Sequence, residues 1–145
     1  MGLGEFLTKS DARRWVWDKL VSESMSAFPF PPHHRIPNFR GAADAARRLL
    51  DDPVFSGVSR IKVNPDAPQR YVRKMALERG VMVYMPSPRL KSGFLVLDPK
   101  TIPKDKLGEA ATMSKAARWG QSVAVAQLPA MDLVVTGCVA VTPWG

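Results

Sequence analysis

Residues 58–86 carry a strand, helix, strand pattern, which restricts the chain to folds that contain a parallel sheet. Residues 58–63 are rich in β-forming side chains. A proline-containing turn then leads into a helix that ends at Gly80, and residues 81–85 form an apolar run without polar alternation. Such a run is typical of a strand that is covered on both faces. The segment is therefore predicted to be a βαβ unit, whose crossover is right-handed in nearly all proteins.

Two further helices and several short strands complete the predicted fold. Thr8 begins a capping-box-like sequence, and the apolar spacing after it predicts a helix to about Ser24. Residues 41–53 repeat apolar side chains at i, i+3, i+4 and i+7, which predicts an amphipathic helix. The prolines within residues 28–40 predict an ordered loop between these helices. Other β-rich segments are residues 94–97, 122–126, 131–136 and 138–141, whereas residues 104–119 fit either a weak helix or a loop.

These elements predict an α/β fold with three layers, α/β/α, around a mostly parallel open sheet. A chain of 145 residues fits a single domain, residues 1–145. No apolar run reaches the ~20 residues that cross a bilayer, and residues 1–7 lack the pattern of a signal peptide, so we expect a cytoplasmic protein with no membrane contact. The lone Cys138 lies in an apolar run and is predicted to pack as a small hydrophobe, which fits a reducing compartment.

The net charge of +8 and the isoelectric point near 10.1 favour an anionic partner. A phosphate group, a polyanionic cofactor and RNA are all compatible with this charge, and the charge alone does not choose among them. The basic residues are spread from Lys9 to Arg118 without a terminal block, so a solvated basic face is an equal alternative.

Chemically reactive residues follow three of the predicted strands. Ligands of open parallel sheets bind beyond the carboxyl ends of the strands, and these ends share one edge. The residues placed there are a carboxylate, two cations and a glycine that permits close backbone approach, namely Asp66, Arg89, Lys91 and Gly137. They predict a site for an anionic or amide-rich ligand. Asp66 is alternatively a helix cap, and Arg89 and Lys91 are alternatively part of a solvated loop.

Other kinds of site are not favoured by the sequence. His33 and His34 are adjacent in an extended loop, so their side chains point apart, and a loop role is favoured over metal binding. No recognisable motif pairs a histidine with Cys138 for nucleophilic catalysis. No Walker-type loop and no G-x-G-x-x-G sequence occurs.

Four ordered segments carry a family resemblance. They are F-P-P-H-H-R-I-P-N-F at residues 30–39, N-P-D at residues 64–66, P-S-P-R-L at residues 86–90 and D-L-V-V-T-G-C-V-A-V at residues 132–141. Together they resemble the 5-formyltetrahydrofolate cyclo-ligase family. The chain is most similar to the methenyltetrahydrofolate synthase domain-containing branch, which shares the proline-histidine loop and the P-R-L segment. The resemblance runs from about Lys9 to Gly145.

The resemblance implies a specific activity and specific residues. Members of the family convert 5-formyltetrahydrofolate to 5,10-methenyltetrahydrofolate with ATP and magnesium (Mg²⁺), by phosphate activation of the formyl oxygen followed by attack of a folate nitrogen. Lys9 and Arg13 match a K-x-x-x-R sequence that contacts the ATP phosphates, and Gly137 is a further candidate for cofactor contact. Asp66 and Arg89 fall on positions that are expected to bind the folate substrate.

Two departures from the family pattern modify these expectations. Asp66 stands where the family has a glutamate, and prolines at 65 and 68 flank it. The family continues past the last predicted strand with a G-x-G-x-G-Y loop and a helix, and the sequence stops before them. We therefore expect a domain that is C-terminally truncated relative to the family, a monomer or homodimer, with impaired turnover. The alternative is a non-catalytic basic module that contacts RNA or another anionic ligand.

Overall fold

The computed structural model of the chain describes residues 8–87 and 90–143. The helices are α1 (Lys9–Ser22), α2 (Ala42–Asp51), α3 (Arg70–Glu78) and α4 (Leu107–Ala110). The strands are β1 (Arg60–Val63), β2 (Met82–Pro86), β3 (Phe94–Leu97), β4 (Gln121–Val123) and β5 (Leu133–Val135). Short 3-10 turns lie at Pro53–Phe55, Ala67–Gln69, Lys104–Lys106, Ala116–Arg118 and Val125–Gln127. None of the described helices has the length and apolarity that a membrane span requires.

The five strands form one open sheet in the order β4-β3-β2-β1-β5. Strand β1 pairs in parallel with β2 on one side and with β5 on the other. Strand β3 is antiparallel to both of its neighbours, β2 and β4. All strands except β3 therefore run in the same direction, which confirms the predicted α/β fold with a mostly parallel open sheet. The predicted βαβ unit is also confirmed, because α3 connects the parallel strands β1 and β2.

The hydrophobic core lies on one face of this sheet, under α2, α3 and α4. Alternate strand residues such as Ile61, Val63, Val83 and Leu97 are fully buried there. The helices contribute, among other apolar side chains, Ala46, Leu50, Val72, Ala76, Leu77, Leu107 and Ala110. A side-chain period of two places the next residue of each strand on the opposite face. The second helical layer of the α/β/α arrangement is not formed by these three helices and stays a prediction.

Helix α1 is attached to the proline-rich loop that follows it. The helix begins after Thr8, whose Oγ1 accepts a hydrogen bond from the backbone N–H of Asp11 at 3.1 Å. Trp17 is the buried residue of the helix, and its Nε1 donates to the carbonyl of Arg35 at 3.1 Å. This bond joins the helix to residues 28–40, which form the predicted loop. An indole N–H that is buried with its ring needs such an acceptor.

The end of the described chain differs from the sequence prediction. The predicted strand at residues 138–141 does not form, and Cys138 is exposed rather than packed as a small hydrophobe. Strand β5 is an edge strand that pairs only with β1, and within residues 8–87 and 90–143 no further strand continues the sheet beyond it. Val134, in the middle of β5, is 55% exposed, so the outward side of this edge strand is not covered. Of the predicted strand at residues 122–126, residues 122–123 belong to β4, whereas residues 125–126 lie in a 3-10 turn.

Candidate functional site

A cavity of about 790 Å³ opens at the carboxyl end of β1, and we name it the edge cavity. The turn from β1 to α3, the proline-rich loop, α3 and the segment after α4 form its walls. The lining residues are Phe28, Pro29, His34, Arg35, Ile36, Asn38, Pro65, Asp66, Ala67, Arg70, Tyr71, Arg73, Thr112, Met113 and Ser114. This is the edge at which open α/β sheets bind ligands, and the volume is that of a small-molecule site.

Arg73 of α3 holds two walls of the edge cavity together. Its guanidinium is buried and donates from Nε to the carbonyl of Ala111 at 2.8 Å. Its Nη1 donates to the carbonyls of Asn64 at 2.6 Å and Asp66 at 3.1 Å. Burial lowers the pKa of Arg73 to about 10, and the nearby Asp66 carboxylate opposes this shift. The guanidinium remains charged at neutral pH and fixes the turn after β1 against the segment after α4.

The carboxyl group of Asp66 is directed into a partly desolvated position. Burial raises its pKa, while the positive charge of Arg73 and a hydrogen bond from its own backbone N–H act in the opposite direction. Asp66 occupies the cap position of the 3-10 turn Ala67–Gln69, but its side chain accepts no capping hydrogen bond. The carboxyl group therefore does not cap the turn, which was the structural alternative considered for Asp66. It lies in the wall of the edge cavity.

A second cavity, of about 420 Å³, lies between α1 and the proline-rich loop, and we name it the α1 cleft. Its lining residues are Ser10, Arg13, Arg14, Trp17, Asp18, His33 and His34. Arg13 was expected at a phosphate site, whereas its expected companion Lys9 is not among the residues that line the cleft. Arg14 was missed by the sequence analysis. The spacing of Ser10, Arg14 and Trp17 at i, i+4 and i+7 is the signal that could have identified it.

The two histidines of the proline-rich loop have different environments. Nε2 of His33 lies 2.7 Å from Oδ1 of Asp18, a pair that joins the loop to α1. His34 has a positive φ of 62° and lines both the α1 cleft and the edge cavity. Both imidazole rings lie near Trp17, with ring centroids at 5.8 Å for His33 and 5.3 Å for His34. The sequence analysis assigned these histidines only a loop role.

A smaller cavity of about 290 Å³ adjoins the edge cavity at Pro65 and Met113. It lies at the carboxyl end of β2, where Pro86 and Ser87 line it. The predicted sheet edge therefore borders ligand-sized space beyond two neighbouring parallel strands. Arg89, which was expected to act at this edge, lies outside the described residues. Lys91 is exposed and lines neither the edge cavity nor the α1 cleft.

Gly137 permits a close approach, but between parts of the protein itself. A Cβ at this position would lie 2.7 Å from Cγ2 of Ile36 and 2.8 Å from Nε2 of Gln69. The glycine thus lets the chain after β5 contact the proline-rich loop and the turn before α3. The structure does not bring Gly137 into the lining of the edge cavity or of the α1 cleft.

The acidic and histidine side chains that the structure describes do not form a metal cluster. Across the described ranges, no group of three or more His, Cys, Asp or Glu side chains is arranged to hold a metal ion. The carboxylate of the α1 cleft, Asp18, is paired with His33. The remaining charged groups of that cleft are the cations Arg13 and Arg14, so the cleft fits an anion.

Comparison with known proteins agrees with the four sequence segments. The profile of the 5-formyltetrahydrofolate cyclo-ligase family matches residues 18–145, a range that begins after Arg13 and Arg14. A methenyltetrahydrofolate synthase domain-containing protein from Mus musculus is 40% identical over 143 residues, which cover 97% of this chain and 38% of that protein. Proteins of the same name from Bos taurus and Danio rerio are 38% and 34% identical, over 96% and 95% of this chain and 37% of each relative.

The chain thus spans 37–38% of the length of these curated relatives. No solved structure gave a significant match. The family profile nevertheless covers the loop of residues 28–40, the βαβ unit and strand β5 in a single match. On this match, the chain belongs to the 5-formyltetrahydrofolate cyclo-ligase family.

Proposed function

We propose that this chain binds ATP phosphates in the α1 cleft and a 5-formyltetrahydrofolate-type substrate in the edge cavity. The proposed activity is the ATP-dependent conversion of 5-formyltetrahydrofolate to 5,10-methenyltetrahydrofolate. The observation that carries the proposal is the adjacency, at the wall that His34 forms, of two cavities that are both lined by arginines, the edge cavity also containing the Asp66 carboxyl group. A reaction between a phosphoryl donor and a formyl oxygen needs two such neighbouring sites.

The edge cavity offers complementary groups to a reduced folate. The Asp66 carboxylate accepts hydrogen bonds, and the N–H groups of a pterin ring are donors. Phe28 and Tyr71 provide aromatic faces in the same cavity. Arg70, whose guanidinium lies 5.7 Å from the ring centroid of Tyr71, is a cation for the carboxylates at the other end of a folate.

The α1 cleft offers complementary groups to a triphosphate. Ser10 lies in the first turn of the 14-residue helix α1, where unpaired backbone N–H groups and the helix dipole favour anions. Arg13 and Arg14 follow one turn later and add two guanidinium groups. We assign the phosphates to these three residues, with Lys9 one turn before Arg13 as an additional cation. Charge that develops on phosphoryl oxygens during transfer is stabilised by such cations.

Magnesium fits this arrangement only as a companion of ATP. The single carboxylate of the α1 cleft, Asp18, is occupied by His33, and the cleft is otherwise cationic. Mg²⁺ in nucleotide sites is commonly held by phosphate oxygens and water with one or two carboxylates. We therefore propose that Mg²⁺ enters with ATP, and that the residues of this chain bind and orient the phosphates.

The proposal is tested by ligand-induced stabilisation of the 145-residue chain. Thermal unfolding is measured with ATP and Mg²⁺, with 5-formyltetrahydrofolate, and with adenosine, which lacks phosphates. A ligand at 100 times its dissociation constant stabilises the folded state by about 2.7 kcal/mol. For a chain of this size that is a rise in Tm of roughly 5–11 °C. ATP and the folate are expected to raise Tm, and adenosine is expected to have a much smaller effect.

Two matched double variants locate the ATP site. Arg13→Ala with Arg14→Ala removes two adjacent exposed arginines from α1, and Arg47→Ala with Arg48→Ala removes two from α2. The first variant is expected to lose the response to ATP and keep the response to the folate. The second is expected to keep both responses. If both variants lose the ATP response equally, binding is a general effect of positive charge and the assigned site is wrong.

The alternative of a basic RNA-binding module stays a prediction, and it is tested by adding an RNA oligonucleotide to the same set of ligands. A single-stranded RNA oligonucleotide would then bind at low salt, with an affinity that falls steeply as salt is added, because phosphate contacts release counterions. ATP and the folate would leave Tm unchanged. That pair of results would contradict the proposed function and support the alternative.

A further inference from the structure

His34 occupies the boundary between the two proposed ligand sites. Among the described residues, it is the one residue that lines both the α1 cleft and the edge cavity. Its neighbour His33 lines only the α1 cleft, and Arg35 lines only the edge cavity. The chain therefore crosses from one cavity to the other at His34.

The backbone of His34 is held in position from both sides. Its φ of 62° lies in the left-handed region, which non-glycine residues adopt uncommonly and at some energetic cost. His33 is fixed to α1 by the contact of 2.7 Å with Asp18. Arg35 is fixed to α1 through its carbonyl, which accepts from Nε1 of Trp17 at 3.1 Å. The residues on each side thus impose the conformation that sets the imidazole between the cavities.

The ring of His34 retains its capacity for hydrogen bonding. It packs against Trp17 with ring centroids 5.3 Å apart and an angle of 54° between the ring planes. Within the parts of the chain that the structure describes, no hydrogen bond to either ring nitrogen occurs. The two nitrogens of an imidazole lie on different sides of the ring, so one ring can bond to two groups in different directions.

We propose that His34 contacts both ligands at once and couples their binding. This inference rests on the proposed function, because it takes the phosphate and folate assignments of the two cavities as given. One ring nitrogen donates to an oxygen of the phosphate chain, and the other faces the polar end of the folate that lies next to it. Each ligand alone orders the ring for the other, so the two ligands bind with positive cooperativity.

The experiment uses the fact that the chain contains two histidines. Two-dimensional NMR of the imidazole C–H groups then gives two sets of signals, which the variant His33→Asn assigns. The His34 signals are expected to shift when ATP with Mg²⁺ is added alone and also when 5-formyltetrahydrofolate is added alone. The His33 signals are expected to shift markedly only with ATP, because His33 lines only the α1 cleft.

Titrations measure the coupling itself. The dissociation constant of ATP is expected to fall at least about 5-fold when the folate is saturating, which is at the lower end of known coupling between sites. His34→Asn keeps a residue that tolerates a positive φ but shortens the side chain. This variant is expected to bind each ligand alone within roughly 10-fold of the wild type while the coupling falls to about 1-fold, whereas the double variant Arg47→Ala with Arg48→Ala keeps the coupling.

The outcomes separate the inference from the proposed function. If both ligands bind and raise Tm but the His34 signals respond to only one of them, the inference is wrong and the two ligand sites stand. Full coupling in His34→Asn overturns it in the same way. If neither ligand binds the wild-type chain, the proposed function fails, and the inference fails with it.

Discussion

Replacing Arg73 with methionine tests whether one buried guanidinium holds the edge cavity together. Methionine is similar in length and unbranched, so the variant removes the charge and the donors with limited change in packing. The carbonyl of Ala111 is buried and loses its donor, whereas the carbonyls of Asn64 and Asp66 lie in part-buried positions. The structure therefore predicts a loss of stability together with a loss of order in the cavity walls.

The magnitude follows from two opposing effects. Burial lowers the pKa of Arg73 to about 10, which corresponds to roughly 3 kcal/mol against the buried charge. Hydrogen bonds to a charged group contribute about 1.5–3 kcal/mol each, and Arg73 makes bonds to three carbonyls. The three hydrogen bonds together outweigh the cost of burying the charge. We therefore expect Arg73→Met to lower the free energy of unfolding by about 3 kcal/mol.

Chemical denaturation followed by tryptophan fluorescence measures this change. Arg70→Met on the same helix is the matched control, because Arg70 is exposed and makes a cation–π contact with Tyr71. We expect the control to change stability by less than about 1 kcal/mol. Arg73→Lys keeps the charge but loses the planar fork, so it is not expected to restore stability. Stability of Arg73→Met within about 0.5 kcal/mol of the wild type would refute the reasoning.

Other changes are expected to act in defined directions. Asp66→Asn should weaken binding of 5-formyltetrahydrofolate at least about 10-fold. The pKa of Asp66 is raised in the folded state, so ionisation of its carboxyl group lowers the stability as the pH rises from the unfolded-state pKa through the folded-state pKa. At pH 7 the Tm of Asp66→Asn should therefore be no lower than that of the wild type. Hydrogen bonds from Ser59 lower the pKa of Asp132, so Asp132→Asn should be destabilised at pH 7, with the difference fading as the pH falls through that lowered pKa. Gly137→Ala should lose about 1–3 kcal/mol by overpacking, as judged by urea denaturation against Gly108→Ala, where a Cβ meets only ordinary contacts beginning at 3.5 Å.

The sequence predicted those parts of the fold that depend on local periodicity. The apolar pattern of residues 41–53 corresponds to α2, and the β-rich residues 94–97 correspond to β3. It did not predict the exposure of Cys138, because an apolar run forms a strand only when another strand or layer covers it. That condition depends on the position of β5 at the edge of the sheet, which local sequence does not contain.

The candidate site was predicted in part, for a similar reason. Asp66 was found because residues after parallel strands share one sheet edge. Arg73 was missed because a buried arginine and a solvated one look alike on a helix, and the carbonyls that it bonds lie in two separate segments. His34 was missed because its importance comes from its position between two cavities.

The shorter acid at position 66 and the Arg73 contacts together limit where a folate ring can lie. A glutamate could reach one methylene further into the edge cavity, and a flexible turn could move an aspartate by a similar distance. Arg73 binds the carbonyls of Asn64 and Asp66, on both sides of Pro65, so the turn is not free to make that movement. Under the proposed function, a ring that bonds to Asp66 must therefore lie closer to the end of β1 than a ring that bonds to a glutamate.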